Sequence, residues 1–256
     1  MIESPNVLEN QRSNASPDSN AVVLGRLLIA WVGAHSFGIL WAMLASPLVA
    51  ADGKAVGAGP IFVQNLGLWI GLGIAAVWLV VGPFARLRTT SRAEIASSLR
   101  LSGRPIDLAL GVVAGWGLHW AIVAVYWVIE QFADKVDIGE TAEELVQNSE
   151  SVTGRILLIL LVVVGAPLFE ELFYRSAVLK VLTPNFGVVA SVIAGGIFFG
   201  IAHFQADQIP GLTLVGIVLG VLHVKTKRSL ANMAAHATFN LLTVLSLWKL
   251  GIPGIA

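Results

Sequence analysis

Two adjacent acids and a cation stand in an otherwise apolar stretch: Glu170, Glu171 and Arg175 in the string PLFEELFYRS. An Asp or Arg at the centre of a membrane helix costs about 2.5–3.5 kcal/mol, and Glu is comparable, so such groups persist where they have a task. Helical geometry sorts them. Glu171 and Arg175 are four residues apart, share a face and can form an intrahelical ion pair. Glu170 lies about 100° further round and has no sequence-local partner. One carboxylate is thereby neutralised, while its neighbour is free to take a proton from water as a general base. An ion-pair rivet between helices is the competing use, and it needs one Glu rather than two.

Two more segments carry polar groups into apolar surroundings. His203 stands next to last in the string FFGIAHF, and His236 and Asn240 in HATFN are four apart, so imidazole and amide point the same way. An amide N–H can meet the negative charge that develops on a tetrahedral intermediate. His35, His119 and His223 read as hydrogen-bonded packing residues. Two imidazoles and a carboxylate also make a reasonable zinc set with an open position, but no HExxH helix is present; use of a divalent metal such as zinc stays open. The chain has no cysteine, which removes thiolate nucleophiles, Cys-ligated zinc and iron–sulfur clusters. No GxSxG string occurs, and Asp207 is the one candidate for an aspartyl dyad that needs two.

The elements that position these groups are membrane helices. Hydrophobic residues make up 56% of the 256 and charged residues 12%, against about 25% charged in soluble domains. The mean hydropathy is +0.79. A skin of 16 acidic and 16 basic side chains cannot cover that apolar mass. The zero net charge gives no footprint for nucleic acid. A hydrocarbon core about 30 Å thick needs about 20 apolar residues, and spans are expected near 22–50, 61–84, 108–132, 156–182, 188–204, 212–224 and 230–250. The fold class is therefore all-α, a polytopic bundle of about seven helices around an intramembrane active-site cavity. Three segments are expected: a disordered polar tail (1–21), three helices with a basic inner and an acidic outer loop (22–150), and a four-helix core (151–250) that holds the candidate catalytic residues.

Loop charge sets an orientation. Arg86, Arg88, Arg92, Arg100 and Arg104 face a single Glu94 across 86–104, so this loop is expected in the cytoplasm, together with the N-terminus. The acid-rich stretch 130–150 then lies outside, with a surface helix over 138–147, and Lys225, Lys227 and Arg228 fall inside. By rise alone, His236 is expected about 10–15 Å nearer the cytoplasm than His203; a sunken loop at 205–208, lining a water-filled cavity, is one way to close that gap.

Taken in order, Glu170-Glu171-Leu-Phe-Tyr-Arg175, Phe199-Gly-Ile-Ala-His203 and His236-Ala-Thr-Phe-Asn240 resemble the three motifs of the CAAX protease and bacteriocin-processing (CPBP, Abi) family of intramembrane glutamate-type or metalloprotease-like endopeptidases. Lys227-Arg-Ser-Leu resembles the usual lead-in to the third motif. The likeness covers about 151–245. It implies that Glu170 activates the attacking water, that Glu171 and Arg175 hold it, that His203 and His236 orient water or substrate or bind a metal, and that Asn240 stabilises the oxyanion. It implies a peptide or lipidated protein as substrate, membrane lipid as surroundings, a cavity open to the cytoplasm as in the prenyl-protein relatives, and a plasma (inner) membrane location. The alternative is a non-catalytic membrane scaffold or bacteriocin self-immunity protein that keeps the motifs for packing. A transporter is disfavoured by the lack of an internal repeat and by acids confined to one helix.

Overall fold

The computed structural model describes residues 19–49, 58–82, 89–132 and 140–248. The polar tail as far as residue 18, Arg86 and Arg88, and residues 138–139 of the expected surface helix lie outside the described residues. Among the described residues the secondary structure is helical throughout: α1 (Asn20–Val49), α2 (Ala58–Val81), α3 (Arg92–Ser98), α4 (Pro105–Glu130), α5 (Glu140–Gln147), α6 (Val152–Phe186), α7 (Val188–Ile201), α8 (Ile209–Thr226) and α9 (Ser229–Leu247). Six of them are long and apolar enough to cross a membrane, and α7 is a shorter apolar helix. Leu28, Ile29, Ile39, Met43 and Leu44 on α1 are all exposed, which suits lipid and not water. The protein is an integral, multi-pass helical membrane protein.

Small residues let the helices approach closely, as membrane packing requires where no hydrophobic force draws helices together. Gly71 of α2 meets the backbone of Ala34 on α1, and Gly196 of α7 meets that of Gly216 on α8. Gly111 and Gly115 of α4 abut the carbonyls of Ala231 and Ala235 on α9 in the same order along both chains, so α4 and α9 run parallel. A Cβ at either position would collide with that backbone. Between α6 and α7, Gly187 turns the chain at φ +76° and ψ 166°, a region essentially reserved for glycine.

Side chains then tie the two ends of the bundle. At one end Asp107, fully buried, takes Nε and Nη2 of Arg228 at 2.7 and 2.9 Å, and Ser229 reaches the carbonyl of Leu99 at 2.9 Å. At the other, the Tyr126 hydroxyl donates to the carbonyl of Asp207 at 3.1 Å and accepts from the Gly211 N–H at 3.2 Å. That clamp holds the turn between α7 and α8 against α4.

The helix α6 departs from regular geometry. Its 35 residues give about 50 Å of rise, well beyond the hydrocarbon thickness. Two stretches, Ile159–Gly165 and Glu171–Val178, are π-helical, with Ala166–Glu170 α-helical between them. Such wide turns gather at functional sites, because they free carbonyls and re-aim side chains.

Candidate active site

The acid pair sits where the second π-helical stretch begins, and its two members have opposite surroundings. Glu171 is fully buried. Its Oε1 lies 3.0 Å from Arg175 Nη1 and 2.9 Å from His236 Nδ1, and its Oε2 accepts from Asn232 Nδ2 at 3.4 Å. The ion pair expected from the four-residue spacing is present. Arg175 is itself buried, stacked 4.3 Å over the Phe199 ring, with Nη2 3.5 Å from the carbonyl of Gly216. Glu170 keeps 18% of its side chain exposed, with Oε2 3.9 Å from His236 Nε2.

That exposed fraction faces a cavity of about 440 Å³. Glu170, His203, His236 and Asn240 all line it, while Glu171 and Arg175 lie behind the wall. The other walls are mostly apolar and aromatic: Trp69, stacked on Phe169 with centroids 5.8 Å apart, Tyr126, Leu161, Leu212 and Phe239. The Phe199 ring bridges the two imidazoles, its centroid 4.7 Å from that of His203 and 5.8 Å from that of His236. His203 lies just beyond the end of α7, and Gln205 and Gln208 of the turn after it also line the cavity.

Partners fix the proton positions. His203 Nδ1 is 2.8 Å from the carbonyl of Phe199; a carbonyl can only accept, so Nδ1 carries hydrogen and Nε2 is the available nitrogen. His236 Nδ1 donates to the Glu171 carboxylate, which turns its Nε2 toward Glu170.

Asn240 is anchored by a peculiarity of α6. The Ala166 N–H donates to Leu161, five residues back. In that register the carbonyl of Val162 would take the N–H of residue 167, but Pro167 has none. The carbonyl accepts from Asn240 Nδ2 instead, at 2.7 Å.

Two nearby residues escape a reading by motif. Asn232 spans Glu171 and the carbonyl of Leu219, the latter at 2.6 Å; its signal in the sequence is the spacing 232, 236, 240, one face of α9. His35 of α1 is within electrostatic reach of Glu170 and His203, its ring 6.3 Å from that of Phe204, and no local pattern marks it. Among the described residues no three His, Asp or Glu side chains converge closely enough to hold a metal ion. Glu170, His203 and His236 as placed do not assemble the zinc set considered from sequence.

Residues 152–242 match the family model described as type II CAAX prenyl endopeptidase Rce1-like. This is the CAAX protease family that the three motifs resemble, and the matched segment holds all six residues singled out above. No curated protein and no solved structure matches the chain.

Proposed function

We propose, from the CAAX-endopeptidase match of residues 152–242 and from the geometry around them, that the protein is an intramembrane endopeptidase in which Glu170 activates water. One observation carries this reading: of two adjacent glutamates, one is buried and fully paired while the other borders a cavity shared with two imidazoles and an amide. In this reaction Glu170 takes a proton from water as the oxygen attacks the scissile carbonyl carbon, then returns it to the amine nitrogen as the C–N bond breaks. His236, steered from behind by Glu171, holds Glu170 and the water in register. The free Nε2 of His203 accepts a hydrogen bond from water or substrate. Asn240 donates one amide hydrogen to Val162 and keeps the other for the oxyanion. The apolar walls accept an apolar peptide and exclude bulk water, which strengthens each of these contacts.

The direct test is cleavage of quenched-fluorescent apolar peptides by the purified chain in liposomes. Thr243 lines the cavity away from the acids, and Thr243→Trp is expected to fill it and abolish cleavage. Cleavage that survives the filling places the reaction elsewhere.

A finer result is expected at Pro167. Pro167→Ala supplies the missing N–H, which competes with Asn240 for the carbonyl of Val162. Losing one orienting hydrogen bond of about 0.5–1.5 kcal/mol lowers kcat about 3- to 10-fold, while the added backbone bond holds or raises the Tm. An unchanged kcat means that Asn240 is oriented without this carbonyl.

A further inference from the structure

The two ends of the bundle differ in charge, and among the described residues the cavity lining reaches one of them and not the other. Its lining extends from Glu170 and His236 to Leu145 of α5, Gln205 and Gln208 before α8, and Leu247 at the close of α9. Toward the opposite end it is sealed by a layer of buried side chains: Glu171, Phe173, Arg175, Leu219 and Asn232, each no more than 2% exposed. Behind them Ser176 bonds Ser229 at 2.9 Å, and Ser229 is fastened to Leu99. Among the described residues this layer closes that end of the cavity.

The sealed end is the basic one. It carries Arg92, Arg100 and Arg104 on and beside α3, Lys180 with its Nζ 3.4 Å from the carbonyl of Ser98, and Lys225 and Lys227 at the end of α8. The cavity end carries Glu130, Glu143, Glu144, Glu150 and Asp207, with Arg155 as the nearby cation. Lysine and arginine are retained on the cytoplasmic side of short membrane loops.

We propose that the basic end is cytoplasmic and that the cavity opens on the non-cytoplasmic face. The orientation stands on charge and packing; the word substrate rests on the endopeptidase reading above. The substrate class that follows is a peptide or membrane-tethered polypeptide already carried across the bilayer. A cytosolic C-terminal tail bearing a prenyl group, the substrate that the family likeness suggests, meets the sealed face.

The chain contains no cysteine, so single replacements report side without a background. Glu144 and Lys225 are exposed at the two ends. A membrane-impermeant maleimide added to intact cells is expected to label Glu144→Cys at least tenfold faster than Lys225→Cys, with the order reversed in inside-out vesicles. Faster labelling of Lys225→Cys in intact cells, or equal labelling from both sides, overturns the proposal. An impermeant fluorogenic peptide added outside right-side-out vesicles is then cut without permeabilisation; cutting only after permeabilisation also overturns it. Labelling needs no turnover. Absence of all cleavage with the expected labelling therefore tells against the endopeptidase reading and leaves the orientation intact.

Discussion

Glu170→Gln is expected to lower peptide cleavage by about 10²- to 10⁴-fold, the usual worth of a positioned general base, with little change in stability. The replacement keeps the volume of the side chain and removes only its capacity to accept a proton as a carboxylate. Glu170 has few obligations to the fold: it is partly exposed to the cavity and the nearby ring nitrogen, His236 Nε2, is 3.9 Å away. A shift in unfolding free energy within about 0.5 kcal/mol is therefore expected, as for a substitution that creates no cavity and strands no buried charge. Stability is read by thermal unfolding in detergent, and cleavage by the rate on a fluorogenic peptide. Wild-type cleavage by this variant removes the proposed base and assigns the activation of water to another group. Cleavage lost together with the fold makes Glu170 a structural acid, the role assigned here to its neighbour.

Which of the two acids is paired with Arg175 was legible in the sequence because it depends on one helix. An i, i+4 spacing fixes which side chains meet whatever the surroundings, so the Glu171–Arg175 pair could be read directly. The bundle of apolar helices was legible for the same reason, since each span is a local property of composition and length. What stayed hidden crosses between helices. His236 was visible as a neighbour of Asn240, but its hydrogen bond to Glu171 joins α9 to α6 across 65 residues. Asn232 shares the face of His236 and could have been flagged by spacing; its need for Glu171 and for the carbonyl of Leu219 could not.

Regular-helix arithmetic left two features of the site out of view for identifiable reasons. Rise estimates do not show which side chains bridge two helices, whereas the Phe199 ring lies between the imidazoles of His203 and His236 and the turn after α7 supplies Gln205 and Gln208 to the cavity. A 3.6-residue period also hides the π-helical turns of α6. Pro167 lacks an N–H and so leaves one carbonyl of the preceding turn without its helical partner. Only the structure shows that the carbonyl it leaves unpaired is the one that fixes Asn240.

Arg175→Met is expected to destabilise the protein by about 3–5 kcal/mol, the cost of leaving a buried charge without its partner. Methionine fills much of the guanidinium's space over Phe199, so most of that loss comes from charge and not from a void. Glu171, fully buried, is left with His236 and Asn232 as partners. The companion variant Glu171→Gln strands the Arg175 cation in the same way and is expected to lose a similar amount. Combining them removes both charges: the glutamine still accepts from His236 Nδ1, and no buried ion remains. The double variant is then expected within about 1–2 kcal/mol of wild type, because a buried pair replaced as a unit is often close to neutral. Unfolding in detergent completes the cycle. A single Arg175→Met variant with unchanged stability, or a double variant whose loss equals the sum of the singles, means that the pair does not act as a unit. Cleavage by the folded double variant separates two uses of Glu171. If the carboxylate only neutralises Arg175, activity returns with the fold; if its charge also steers His236 toward Glu170, the double variant folds and still cuts slowly.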